Sequence, residues 1–183
     1  MEKKIIIGLV GESGSGKDTV AKYLHEKYNV KLMRFADPIK ETLNIYFEQS
    51  SREDQQWMYL KLKERFGSDV LGRAIRKRVE KENGIIVING LRMPDDYDFV
   101  RSFENNHVIY ITADQKLRWQ RTTGRNEKAD DNITFEKFQE MERVETEVHI
   151  PEIGAEADFT IKNEKDLEYL LSEVDRIMSQ IQG

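Results

Sequence analysis

The 183 residues include no cysteine, so the chain can build no disulfide, no thiolate metal site and no thiol nucleophile. Histidine is nearly as scarce. His25, His107 and His149 lie far apart in sequence and form no metal-binding or catalytic grouping. Long apolar runs are missing too. The stretch Ile5-Ile6-Ile7-Gly8-Leu9-Val10 is far too short to cross a bilayer and leads at once into a glycine-rich loop. Neither a membrane span nor an export signal is expected, and we expect a cytoplasmic protein. Excess positive charge is also absent: a formal net charge of -5 speaks against a broad nucleic-acid surface but leaves room for a local basic pocket. No repeat or low-complexity linker divides the chain. Its length suits one compact domain, residues 1–183, with a sizeable core.

What the chain does have is Gly11-Glu12-Ser13-Gly14-Ser15-Gly16-Lys17-Asp18-Thr19, between an apolar run and a helix-like segment from Val20 to Lys27. Strand, glycine loop and helix form the context in which G-x-x-x-x-G-K binds nucleotide phosphates. Glycines bring backbone N–H groups close to phosphate oxygens, and those groups form an anion-binding nest at the positive end of a helix. Lys17 adds a flexible point charge for the β- and γ-phosphates. Gly11, Ser13, Gly14, Ser15, Gly16, Lys17, Asp18 and Thr19 are therefore the expected nucleotide-binding residues. Asp18 stands where Ser or Thr normally meets Mg²⁺. Either Asp18 ligates the metal as a hard oxygen donor, or it caps the helix while Thr19 helps to place the ion. Both readings stay open.

Short apolar runs alternate with longer amphipathic ones, which predicts an α/β protein with a parallel sheet covered by helices. Strands are expected at 3–10, 31–35, 85–89, 107–112 and 158–162. Ile85–Ile88 and Val108–Ile111 are nearly continuous apolar runs, as in strands buried on both faces. Helices are expected at 38–48, 51–65, 68–81, 94–103, 115–122, 134–147 and 164–181. Ser51 and Asp54 resemble a capping box, and Asn163 is placed to cap the last helix. The polar stretch 123–132 reads as a mobile loop.

Phosphoryl transfer needs cations between donor and acceptor and a lid that excludes water. Arg118, Arg121 and Arg125 recur on one helix face and lead into that polar loop, so we expect a lid at about 123–133 with Arg121 and Arg125 as its catalytic pair. A solvated basic helix face is the plainer alternative. Arg92 follows the third strand, at the edge where open α/β sheets bind ligands, and is expected to hold an acceptor phosphate. Arg34 and Asp37 lie on the same edge. Asp37 could activate the acceptor, organise Mg²⁺ or merely begin a helix. Arg73 is a further substrate candidate, although salt bridging would also account for it. Tyr46, Phe47, Trp57 and Tyr59 are expected to be core rather than base-stacking residues.

Gly16-Lys17-Asp18-Thr19, Phe35-Ala36-Asp37-Pro38-Ile39-Lys40-Glu41 and Phe66-Gly67-Ser68-Asp69 with Arg73 resemble phage-type deoxynucleoside monophosphate kinases. Ile88-Asn89-Gly90-Leu91-Arg92, Arg118 to Arg125, Asp130-Asp131, Ala157-Asp158 and Asn163 are similar to archaeal adenylate-kinase-like proteins and, more distantly, to dephospho-coenzyme A kinases. The resemblance implies a three-layer P-loop kinase fold with a five-stranded parallel sheet and a small lid. It also implies ATP and Mg²⁺ as cofactors, a nucleoside or deoxynucleoside monophosphate as acceptor, and adenine held near Asn163. Where many relatives carry an Asp supporting the metal, this chain has Asn89, which leaves more of the neutralisation to Asp18 or Asp37. A dephospho-coenzyme A kinase and a regulatory NTP-hydrolysing module are the rival expectations.

Overall fold

A computed structural model describes residues 4–123, 133–145 and 147–183. Among them, five strands form one parallel sheet in the order β2-β3-β1-β4-β5. The strands are β1 (Ile5–Val10), β2 (Lys31–Arg34), β3 (Ile85–Leu91), β4 (Asn106–Thr112) and β5 (Phe159–Lys162). Each lies where the apolar runs predict it, with one difference. β3 continues past Asn89 through Gly90, whose φ of 92° only glycine adopts easily, so Arg92 emerges one step beyond the strand's end.

Alternating side chains along β1 supply two cores. Ile6 and Val10 face one way, joined by Ile86, Ile88 and Val108. They are covered by Ile75 and Val79 of α4 (Val70–Val79), Phe99 and Val100 of α5 (Pro94–Arg101), and Ile150 and Ile153 of α8 (Ile150–Ala155). Ile7 and Leu9 face the other way with Val87, Ile109 and Ile111. That face is closed by Val20, Ala21 and Leu24 of α1 (Lys17–Tyr28) and by Leu170, Val174, Ile177 and Met178 of α9 (Leu167–Gln182). The α9 spacing presents one apolar stripe to the sheet. Truncating a fully buried member such as Ile88 to alanine should cost about 2–5 kcal/mol. The result is three layers with β1 central. Its carboxyl end is the switch point at which the chain crosses from one side of the sheet to the other, the place where open α/β sheets form their ligand crevice.

The remaining helices are α2 (Asp37–Tyr46), α3 (Arg52–Phe66), α6 (Gln115–Thr123) and α7 (Phe135–Met141). Ser51 and Asp54 make the expected reciprocal capping box at the start of α3. Three expectations need correction. Asp166, not Asn163, caps α9 by accepting from the Tyr169 N–H. The helix expected over 134–147 stops at Met141. After it, Glu142 and Glu147 take up long-range ion pairs with Arg118 and Arg92, and the short α8 follows. Three of the four aromatic residues are not core, with Tyr46 73% exposed, Phe47 58% and Trp57 62%, while Tyr59 is half-buried. Of α2 only Ile39 and Leu43 are buried, and α3 has no single apolar stripe to turn inward. The expected lid and Arg125 lie mostly outside the described residues. The anchor beside them is visible, with Trp119 Nε1 donating to the Ile133 carbonyl at 2.9 Å and its ring packing on Phe135.

Candidate active site

The loop leaves β1 at Val10 and becomes α1 at Lys17, with Gly16 in the left-handed region at φ 97°. Gly14 has φ 78°, and a Cβ there would come within 2.3 Å of the Arg118 carbonyl oxygen. The equivalent atom on Gly16 would lie 2.4 Å from the Asn163 amide nitrogen. Glycine is therefore required twice over, for backbone conformation and because neighbouring chain presses on the loop from outside.

Those neighbours are polar and act as a buttress. Asn163 is buried beneath the loop and donates from Nδ2 to the Ser15 carbonyl at 2.8 Å. With that amide engaged, its influence on a nucleotide runs through the loop. Arg118, also buried, donates to the carbonyls of Ala113 (3.0 Å) and Ser13 (3.3 Å), and pairs with Glu142. Glu12 accepts from the Tyr110 hydroxyl and ties the loop to β4. Sequence reasoning missed Glu12, Tyr110, Glu142 and Glu147, because their partners lie many residues away. It grouped Arg118 with the lid, whereas the structure gives it to the loop. The signal that could have found this is a carboxylate inside an anion-binding loop: Glu12 would repel phosphate unless held aside.

Lys17 is the centre of charge. Its ammonium lies 3.2 Å from Asp18 Oδ1 and 3.2 Å from Asn89 Oδ1, and Asn89 Nδ2 donates to Asp18 Oδ1 at 2.8 Å. Burial, aided by repulsion from Arg92 and Arg34, lowers the Lys17 pKa despite the attraction of Asp18. Asp18 is lowered too, for the opposite reason. Burial alone would raise it, but Lys17, the Asn89 hydrogen bond and Arg34 outweigh that and bring it down to about 2. Asp18 is thus a committed carboxylate with an exposed face beside the loop. Among the described residues no group of three or more His, Asp or Glu could hold a metal by itself. One ionised carboxylate beside a phosphate nest suits Mg²⁺, which keeps several waters and takes further oxygens from substrate phosphates.

The residues expected to face an acceptor lie at the ends of β2 and β3. Asp37 begins α2 and accepts from the Arg34 N–H at 2.8 Å, which fixes the turn after β2. Asp96 accepts from the N–H groups of Arg92 and Met93, both at 3.0 Å, and fixes the turn after β3. Burial raises the Asp96 pKa to about 6, against the pull of those two N–H groups. The Arg92 guanidinium pairs with Glu147. Arg73 holds Asp69 and the Phe66 carbonyl on α4, a local and exposed arrangement. Arg121 is half-buried on α6. Beside the loop lies a cavity of about 320 Å³ lined by Glu12, Gln115, Arg118, Glu142, Glu147 and Ile150, among others.

A family profile for deoxynucleotide monophosphate kinase matches residues 4–71, from β1 into α4. A UPF0200 protein of Pyrococcus furiosus is 30% identical over 184 residues, covering 97% of both chains. Another from Methanocaldococcus jannaschii is 27% identical, covering 97% of this chain and 90% of the relative. Among solved structures, shikimate kinase from Bacteroides thetaiotaomicron superposes with a TM-score of 0.67 at 15% identity, over 98% of this chain and 99% of that one. Shikimate kinase from Acinetobacter baumannii in complex with shikimate gives 0.60 at 17% identity, over 99% and 94%. At such identities the likeness speaks for the fold, which is that of a P-loop kinase. With its sheet, loop and nearly full-length relatives taken together, the chain belongs to the UPF0200 family.

Proposed function

We propose that this protein is an ATP-dependent phosphotransferase whose acceptor is a nucleoside or deoxynucleoside monophosphate, acting as a single kinase domain. The observation that carries the proposal is the loop itself: Gly14 and Gly16, at positive φ and too crowded for a side chain, lead into Lys17, whose ammonium lies 3.2 Å from both Asp18 Oδ1 and Asn89 Oδ1. A lysine behind such a glycine loop at the start of a helix suits a polyphosphate.

In this reading the loop amides from Gly11 to Gly16 and Lys17 hold the donor's β- and γ-phosphates. Arg92 grips the acceptor's phosphate, with Arg34 beside it. Arg73 is assigned to the same side, because its exposed pair with Asp69 is weak enough to exchange. Arg121 and Arg125 close over the transferring group. Asp37 keeps the β2 edge in register for the acceptor. Asp18 and Thr19, with Asn89 beside them, would hold Mg²⁺, which would neutralise the phosphate oxygens when bound. Asn163 supports the loop under the adenine side. Catalysis then rests on positioning and electrostatics, with little covalent work for the protein.

A hydroxyl acceptor is the second reading. The likeness of fold to shikimate kinases favours it, as does a carboxylate, Asp37, at the end of β2. Measuring ADP release from Mg-ATP against nucleoside monophosphates, deoxynucleoside monophosphates, dephospho-coenzyme A and shikimate separates the two. A rate that depends on a monophosphate supports the first reading. A rate only with the hydroxyl acceptors replaces it, and slow hydrolysis indifferent to every acceptor would leave a nucleotide-binding module.

A further inference from the structure

Arg92, assigned above to the acceptor's phosphate, already holds a carboxylate. Glu147 reaches it from the turns between α7 and α8 and also lines the 320 Å³ cavity beside the loop. The Glu147 side chain is 12% exposed and that of Arg92 is 42% exposed, so the anion is covered while the cation stays partly open. Glu147 belongs to no helix. Val144 and Val148, on either side of it, are about half-exposed, so its stretch of chain is lightly packed.

We infer that Glu147 is a built-in competitor for the acceptor's anion. Its carboxylate occupies Arg92 and must be displaced, which weakens every anion by the same factor, so only a group that pairs with Arg92 as strongly as a phosphate dianion stays bound at ordinary concentration. The inference rests on the acceptor role of Arg92 and names the acceptor's anionic group. Glu147 is tethered, so it competes with an effective concentration no dilute carboxylate can match. A free carboxylate would exchange one such group for another and gain nothing. A phosphomonoester carries close to two charges at neutral pH and three acceptor oxygens, and it can engage the guanidinium fork in bidentate fashion. The competition lowers apparent affinity by the fraction of molecules in which Arg92 is released. A merely positioning Glu147 would act with the opposite sign, because holding Arg92 in place would strengthen anion binding.

The test uses the full chain with its loop filled by a non-hydrolysable ATP analogue, and titrates inorganic phosphate and acetate at pH 8. Wild type should bind phosphate at least about tenfold more tightly than acetate. Glu147→Gln should tighten phosphate and acetate alike, about 3- to 10-fold, and leave their ratio unchanged. Glu147→Asp, too short to reach Arg92, should move both the same way, and it keeps the test open if the glutamine variant fails to fold. Arg92→Gln should lose the response to both anions. Weaker or unchanged phosphate binding in the folded Glu147 variants overturns the inference, as does an intact response in Arg92→Gln. Kinase activity is read separately. An enzyme without acceptor-dependent ADP release sinks the proposed function, while these titrations still decide the part played by Glu147.

Discussion

The two sides of the crevice are built differently. On the side proposed for the donor, a loop of consecutive residues is held by groups already paired in the fold: Asn163 on Ser15, Arg118 on Ser13, Tyr110 on Glu12, and Asn89 between Lys17 and Asp18. On the side proposed for the acceptor, arginines from β2, the turn after β3 and α4 are held by carboxylates or left partly open, and the neighbouring α2–α3 surface exposes Tyr46, Phe47 and Trp57. The first arrangement suits a ligand part that never varies, the triphosphate tail. The second suits a ligand that must enter, exchange ion pairs and leave. Preorganisation belongs where charge develops during transfer, and exchangeable contacts belong where selection occurs.

The comparison breaks most sharply at Lys17. Lys17→Ala should reduce transfer by about 1,000-fold or more while circular dichroism and the melting temperature stay near wild type. Preserved turnover would remove the donor side from the account. Gly14→Ala comes next, since both its φ of 78° and the Arg118 carbonyl oppose a side chain. We expect a loss of about 1–3 kcal/mol in stability, read by denaturant melts, together with weaker nucleotide binding. Arg92→Gln probes the other side and should raise the acceptor KM about 10- to 100-fold while leaving the ATP KM nearly unchanged. A matching rise in the ATP KM would erase the distinction between the two sides.

Smaller effects sharpen it. Asp96 holds its proton more tightly in the fold, with a pKa of about 6, than in the unfolded chain at 3.8. Its contribution to stability is therefore full below about pH 4 and is lost as pH rises through about 6. Asp96→Asn should flatten that segment of the stability–pH profile, and an unchanged slope would contradict the burial argued for the β3–α5 turn. Trp57→Ala, on the exposed α3 surface, should change stability by less than about 0.5 kcal/mol.

Much of the donor side was legible in the sequence because its signals are local. Gly11 to Thr19 announced the loop, apolar runs announced all five strands, and Ser51 with Asp54 announced the start of α3. What stayed hidden depends on partners distant in sequence. Nothing near Asn163 says that its amide turns back to Ser15 rather than capping α9. Nothing near Glu147 says that the helix expected around it yields to an ion pair with Arg92. The aromatic residues of α2 and α3 misled for a related reason. Residue type favours burial, but burial needs an opposing surface, and at this edge of the sheet the fold supplies little. Arg121 could be assigned only by spacing, and Arg125 lies outside the described residues.

The most direct measurement follows the γ-phosphate itself. ATP labelled at that position is incubated with Mg²⁺, the protein and the monophosphate that gives the highest rate, and the products are separated. The account predicts label in the nucleoside diphosphate made from the acceptor, at a rate abolished by Lys17→Ala. Label found only as inorganic phosphate, whatever acceptor is present, would contradict it.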